Sequence, residues 1–263
     1  MKKLLAAATA LSGFLALAGA ASAADPGVVD PGYDWSGFYL GVNAGVAFGE
    51  TNGSQSLDPV QNNANASAIA IINNTNNDSY SSTDFTGGLT LGYNQQMDSL
   101  VLGIEGDVNF MDLSGSKNST FTAGATGRGE DSTSADFLAT ARLRLGYAMD
   151  RSLFYVTGGA AFTDAKASQT LDWTFADGCP AVPPAGFQRC HDGDKSFGVG
   201  WTVGGGMEFA FTGNWTMKAE YLYTDFGSAK FQTTNAGTVV NQAINHKDSL
   251  DVHVVRVGIN YKF

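Results

Sequence analysis

The sequence predicts an all-β fold in which eight antiparallel strands close into an up-and-down barrel that spans a membrane. Three observations predict it. Eight segments alternate apolar and polar residues with period two, the connections between them alternate long and short, and aromatic residues gather at both ends of the strands. Period two marks a strand because successive side chains leave a pleated chain on opposite faces.

The elements follow in order. Along 36–49, Phe38, Leu40, Val42, Ala44, Val46 and Phe48 alternate with Tyr39, Gly41, Asn43, Gly45 and Ala47. Segments 83–95, 100–111 and 136–148 set Leu89, Leu91, Ile104, Val108, Leu143 and Leu145 against Thr90, Glu105, Asp107, Arg142 and Arg144. Segment 152–163 is apolar or glycine on both faces, and its β-branched and aromatic content assigns it as a strand. Segments 196–211, 215–225 and 250–263 set Phe197, Trp201, Val203, Phe209, Trp215, Met217, Val255 and Val257 against Glu208, Lys218, Glu220 and Arg256. Strands of ten to sixteen residues exceed the ~5–6 usual in globular sheets. They suit the roughly 9–11 tilted residues that cross a bilayer.

Short connections fall at Met97-Asp98, Asp150-Arg151 and Gly213-Asn214; long polar ones span about 50–82, 113–133, 166–195 and 227–248. That alternation is the pattern of bacterial outer-membrane barrels, with the long segments expected as extracellular loops, and globular domains rarely carry four such loops. The Asn/Ser-rich stretch 51–82 and the Gly/Ser/Thr-rich stretch 114–134 are expected to be mobile surface.

Trp35, Phe38, Tyr93, Tyr147, Phe154, Phe209, Phe211, Trp215, Tyr261 and Phe263 fall near one set of strand ends. Phe48, Phe85, Phe110, Phe137, Phe162, Phe197, Trp201, Tyr223 and Phe226 fall near the other. Rings with one apolar and one wet side favour a bilayer interface.

Lys2 and Lys3, the apolar run Leu4 to Ala18 and Ala21-Ser22-Ala23 read as a signal peptide cleaved after Ala23. Removing it takes the net charge from −10 to −12, which argues against a nucleic-acid partner. No later run approaches the roughly 20 apolar residues of a membrane helix. Residues 24–35 then form a periplasmic N-terminal segment, residues 36–263 the barrel, and both termini are periplasmic.

Strand charges sit on the polar side of the alternation: Glu105, Asp107, Glu208 and Glu220 against Arg142, Arg144, Lys218 and Arg256. In lipid the apolar side must face out, so these eight are expected inside, paired into a network that fills a narrow lumen. An aqueous pore lining is the alternative. If the hairpin at 213 sets Phe211 opposite Trp215, Glu208 lies opposite Lys218, and that pair is expected in contact.

Cys179 and Cys190 are the only cysteines, and in an exported chain they read as one disulfide worth roughly 3 kcal/mol. Free thiols are the alternative, and metal binding is disfavoured. His191, His246 and His253 are too scattered for a metal cluster, and His191-Asp192-Gly193-Asp194 lacks the EF-hand spacing. Gly204-Gly205-Gly206 sits inside a strand and is no phosphate loop. Lipid A deacylases of this size carry His-x-Ser on a late strand; here Val255 stands two residues after His253, and no serine is expected on the face that Asp251 and His253 share. No enzyme, cofactor or metal is therefore expected.

The start Trp35-Ser36-Gly37-Phe38-Tyr39-Leu40-Gly41-Val42-Asn43-Ala44-Gly45, the run Val156-Thr157-Gly158-Gly159-Ala160-Ala161-Phe162, and the ending Val255-Arg256-Val257-Gly258-Ile259-Asn260-Tyr261-Lys262-Phe263 resemble the small outer-membrane β-barrel proteins of alphaproteobacteria. These are porin-family surface antigens with barrels similar to OmpA and OmpX. The resemblance covers essentially the whole mature chain. It implies insertion by the barrel-assembly machinery through Val257, Ile259, Tyr261 and Phe263. It also implies contact with outer-membrane lipid and lipopolysaccharide, and a role in envelope integrity. OmpA proteins carry a peptidoglycan-binding domain that is not expected here. A narrow porin for small solutes, or an adhesin binding host surface or lipopolysaccharide through its loops, are the alternatives, and oligomeric state is left open. Deleting Phe263 should lower the amount of assembled barrel, read by immunoblot of the outer-membrane fraction; an unchanged level counts against the terminal signal.

Overall fold

The computed structural model describes residues 32–57, 77–122, 126–173, 181–182, 187–234 and 243–263. The expected signal peptide, residues 24–31 and Cys179 lie outside them. Eleven strands follow in order: β1 Gly37–Leu57, β2 Asn77–Met97, β3 Leu100–Thr122, β4 Thr126–Met149, β5 Ser152–Thr163, β6 Lys166–Trp173, β7 Ala181–Val182, β8 Phe187–Ser196, β9 Val199–Thr212, β10 Trp215–Thr234 and β11 Ala243–Lys262. Eight of them close a ring, β1-β2-β3-β4-β5-β9-β10-β11 and back to β1, every neighbour antiparallel. The ring leaves no open edge at membrane depth, which lipid requires because it offers backbone N–H and C=O groups no partner.

Three two-residue turns join one end. Asp98, Asp150 and Gly213 open them at φ of 53°, 51° and 45°. A positive φ there matches the turn's twist to that of the strands.

The outward face decides the environment. Leu40, Val42, Leu89, Leu91, Ile104, Val108, Leu145, Val156, Val203, Val257 and Ile259 are all exposed, and Leu143 is 70% exposed. The inward face is packed instead. A water-soluble sandwich would bury those same residues against one another. The belt of exposed apolar side chains is a lipid surface.

At the other end the strands outrun the predicted elements. β1 and β2 stay paired through Ser54 and Asn77, and the β3–β4 ladder continues to Thr122 and Thr126. β6 lies against the upper part of β4, and β8 against β6. The stretches read as mobile loops are therefore largely strand where described. Their polarity reported strands with exposed side chains such as Ser114, Ser116 and Asn118, not irregular backbone. Thr favours strands, and Ser132 and Ser168 hydrogen-bond across β4 and β6 at 2.8 Å.

The interior is layered along the barrel axis. A charged tier occupies the middle. On the side away from the short turns lies an apolar plug that includes Met111, Leu113, Leu138, Leu222, Phe226, Val252 and Val254. On the turn side Trp35, Val101, Leu153, Tyr155 and Ala210 form a second cluster.

Three aromatics assigned to the interfaces are instead buried. Trp35 is 2% exposed, because the chain before β1 turns in under the mouth; its backbone N–H donates to Gln96 Oε1 at 2.7 Å. Beside it the Tyr33 N–H donates to the Asp150 carbonyl at 3.2 Å, and the Lys262 ammonium lies 4.6 Å over the Tyr33 ring. Burial pushes the Tyr33 hydroxyl up to about 12, while hydrogen bonds from Ser36, its backbone N–H first, hold the Asp34 carboxyl below its ordinary value. Phe197 sits at the break between β8 and β9 and turns inward. Phe226 is carried inward by a bulge in β10.

Leu143→Arg tests the lipid assignment. The site is open, so in a water-soluble protein the change would cost little. In a bilayer it should lower stability by about 2–4 kcal/mol, measured by urea unfolding in phospholipid vesicles.

Candidate functional site

The middle tier is built by register. Asp107 pairs with Thr140 and Glu105 with Arg142 across β3 and β4, and Glu220 with Arg256 across β10 and β11. Every residue named lies on the inward side of its strand. All eight charges expected inside are buried, none more than 4% exposed.

They form one connected network. Arg142 is ion-paired with Glu105, with Asp107 at 2.8 Å and with Glu220 at 3.0 Å. Arg256 reaches Asp107 at 3.0 Å and Glu220 at 2.5 Å. Lys218 Nζ donates to Glu105 Oε2 at 2.9 Å. Nearer the turns, Arg144 pairs with Glu208 and stacks 3.7 Å from the centre of the Tyr155 ring.

Neutral residues donate to the carboxylates as well. Tyr39 donates to Glu105 at 2.6 Å, Tyr155 to Glu220 at 3.0 Å, Thr140 to Asp107 at 2.7 Å, and Thr216 and Asn260 to Glu208 at 2.5 and 2.7 Å. Buried charges persist only when partnered this way, since a lone one bears an uncompensated desolvation cost of several kcal/mol. The two tyrosines have room because glycines face them. A Cβ at Gly92 would stand 2.3 Å from the Tyr39 hydroxyl, and one at Gly206 2.7 Å from that of Tyr155.

Sequence reasoning passed over these tyrosines as network members. Glycine opposite an inward tyrosine was the available signal, but it needs the register to be known.

Lys218 does stand opposite Glu208 in the ladder. The route to that pairing differs from the expected one. Trp215 pairs with Thr212, and an irregularity at Phe211 then restores the register that puts Thr216 against Ala210. The expected contact is replaced: Glu208 is already paired with Arg144 and accepts from Thr216 and Asn260, and the ammonium goes across the lumen to Glu105.

Val257 and Ile259 face outward in β11, and Tyr261 and Phe263 continue that face, their rings 5.2 Å apart. The Phe263 N–H donates to the Phe38 carbonyl at 2.9 Å, tying the chain end to its start. Cys190 lies at the irregularity between β6 and β8; its expected partner Cys179 is outside the described residues. His253 and Asp251 share the outer face and bond to Tyr221 at 2.7 Å and Tyr223 at 3.0 Å. A serine does share that face, contrary to expectation. Ser249 is two residues beyond Asp251, and its hydroxyl points to the Asn52 carbonyl at 3.4 Å, away from the histidine.

Comparison with known proteins gives this geometry a family. The model of the outer membrane protein β-barrel domain matches residues 7–263. The chain belongs to that family. It is 35% identical to the 31 kDa outer-membrane immunogenic protein of Brucella melitensis, over 88% of this chain and 85% of the relative. It is 28% identical to the 25 kDa outer-membrane immunogenic protein of Brucella abortus, over 100% of this chain and 99% of the relative. A 22 kDa outer membrane protein of Rhizobium leguminosarum is 27% identical over 68% of this chain and 66% of the relative. The protein is thus an outer-membrane barrel of alphaproteobacterial type, and its exposed belt is the surface that such a location demands.

Two outcomes test the network. Arg142→Met takes one cation from three carboxylates that keep Lys218 and Arg256, leaving the buried tier with an excess negative charge, and should destabilise the barrel by about 3–5 kcal/mol in chemical unfolding. A double-mutant cycle should show stronger coupling for Lys218 with Glu105 than for Lys218 with Glu208; the reverse order refutes the geometry.

Proposed function

We propose that this protein is a closed, non-conducting structural barrel that supports envelope integrity and presents its outer end as a surface antigen. The observation that carries the reading is the filling of the lumen on three tiers. Ion pairs occupy the middle, where a pore would hold water. Trp35 and its neighbours cover the turn end. At the far end the space left among Gly49, Met111, Leu113, Leu138, Phe226 and Val252 is about 20 Å³, room for about one water molecule. An eight-stranded cylinder is only wide enough for side chains to fill.

The rest of the reading goes with this. The two Brucella relatives are immunogenic outer-membrane proteins, which supports the antigen role. Contact with lipopolysaccharide and neighbouring lipid fits the exposed apolar belt, and the outward aromatic end of β11 fits recognition by the assembly machinery. The short turns then lie in the periplasm and the extended strands outside. A Cys179–Cys190 disulfide, an N-terminal signal peptide and the absence of catalysis belong to the same reading, in which Tyr221 and Tyr223 hold His253 and Asp251 in place.

Planar-bilayer recording decides between this reading and a narrow porin. The refolded protein should add no stepwise conductance. Trp35→Ala should also remain silent, because the charged tier and the far plug stay in place. Regular single-channel steps from the wild type would overturn the proposal.

A further inference from the structure

Above the aromatic girdle, the outer wall of the barrel carries a polar groove of about 660 Å³ that the filled lumen leaves unexplained. Register builds it. Trp201, Asp225, Asp251 and Glu50 succeed one another across β9, β10, β11 and β1, all on the outward side. Val203, Tyr223, His253 and Phe48 form the row beneath, toward the lipid belt. Ser228, Ser249 and Asn52 form the row above. The groove therefore opens where the wall leaves the lipid.

A bulge shapes the hollow. Between Asp225 and Ser228, Phe226 and Gly227 of β10 stand against the single Leu250 of β11, and Gly227 takes φ 68°. The extra residue sends Phe226 into the interior plug and bends β10, so that Asp225 and Ser228 both line the outer hollow. Bulges of this kind re-aim side chains next to functional sites.

The lining is rich in paired donors and acceptors beside an aromatic wall. Asn52, Ser54 and Ser249 offer amide and hydroxyl groups, Asp225 and Asp251 offer carboxylates, and Lys247 an ammonium. Tyr223 borders the hollow with its ring 5.4 Å from Trp201 and its hydroxyl donating to Asp251 at 3.0 Å, so its face is held in place. The volume falls within the ~300–1,000 Å³ of small-molecule sites. Two carboxylates directly opposite in register repel each other and any anion, so a phosphate group is disfavoured. Hydroxyls fit both kinds of lining group, an amine fits the carboxylates, and a ring face of C–H bonds fits Tyr223.

We propose that this groove binds a saccharide, uncharged or amine-bearing, at the level where the barrel wall emerges from the membrane. The groove is on the outer wall, so the proposal does not depend on whether the lumen conducts. A sugar of the surrounding leaflet and a soluble glycan share the chemistry, and the test separates them.

The full chain is reconstituted in phosphatidylcholine vesicles and titrated calorimetrically with glucosamine trisaccharide, maltotriose and glucose 6-phosphate. Saturable heat is expected with the first, weaker heat with the second and none with the third. Asp225→Asn combined with Asp251→Asn should weaken glucosamine trisaccharide binding at least tenfold, and Tyr223→Ala should weaken it more than Tyr223→Phe. Heat-modifiable gel mobility shows that each variant retains the barrel. Adding a glucosaminyl glycolipid to the vesicles should abolish the soluble titration if the leaflet supplies the ligand and leave it unchanged if a soluble glycan does. No saturable heat with either sugar, undiminished binding by the double variant, or tighter binding of the phosphorylated sugar would each overturn the proposal.

Discussion

Charge in a chain that crosses lipid must be either absent or enclosed, and in this protein it is enclosed. Closing β1 against β11 creates the only compartment at membrane depth where Glu105, Asp107, Arg142, Arg144, Glu208, Lys218, Glu220 and Arg256 can meet partners instead of hydrocarbon. A lipid-facing Arg or Lys at mid-depth would cost roughly 2–4 kcal/mol. Each carboxylate of the tier accepts from at least one cation and one neutral donor, so the desolvation of every member is offset by several bonds rather than one. The rest follows from that enclosure: the apolar side has to face out, and the lumen has to be narrow enough for side chains to bridge it.

The tiers above and below the charges have the same cause. Water reaching the network would loosen each pair by raising the local dielectric constant. The plug around Leu138, Leu222 and Val254 on one side, and Trp35 with Leu153 on the other, keep it out. Trp35 also links the segment just before β1 to the barrel, and the Phe263 N–H links the end of β11 to Phe38, so both are anchored at the same mouth. Stability and closure are thus handled by the same residues.

How the outer end differs from the membrane part is a matter of solvent. Within lipid every backbone group must pair inside the ring. Beyond it, β2 and β3 part company after Thr86 and Met111, and each continues with its other neighbour. Water makes that separation tolerable, and the resulting polar walls carry the outward groove bordered by Tyr223.

Much of this was legible along the chain. Alternation at Leu143 and Leu145 against Arg142 and Arg144 determined which side meets lipid, because only one side of a zigzag can be apolar and the charged side then has nowhere to go but inward. The two-residue turns at Asp98, Asp150 and Gly213 determined antiparallel neighbours for the same local reason. What the tertiary structure alone decided are relations between strands far apart in sequence. Lys218 finds Glu105, 113 residues away, because ring closure brings β10 and β3 to face each other across the lumen. Trp35, Phe197 and Phe226 are buried because a chain reversal, a strand break and a bulge override their local parity. Period two specifies a face, but which partner waits on that face is set by how the cylinder closes.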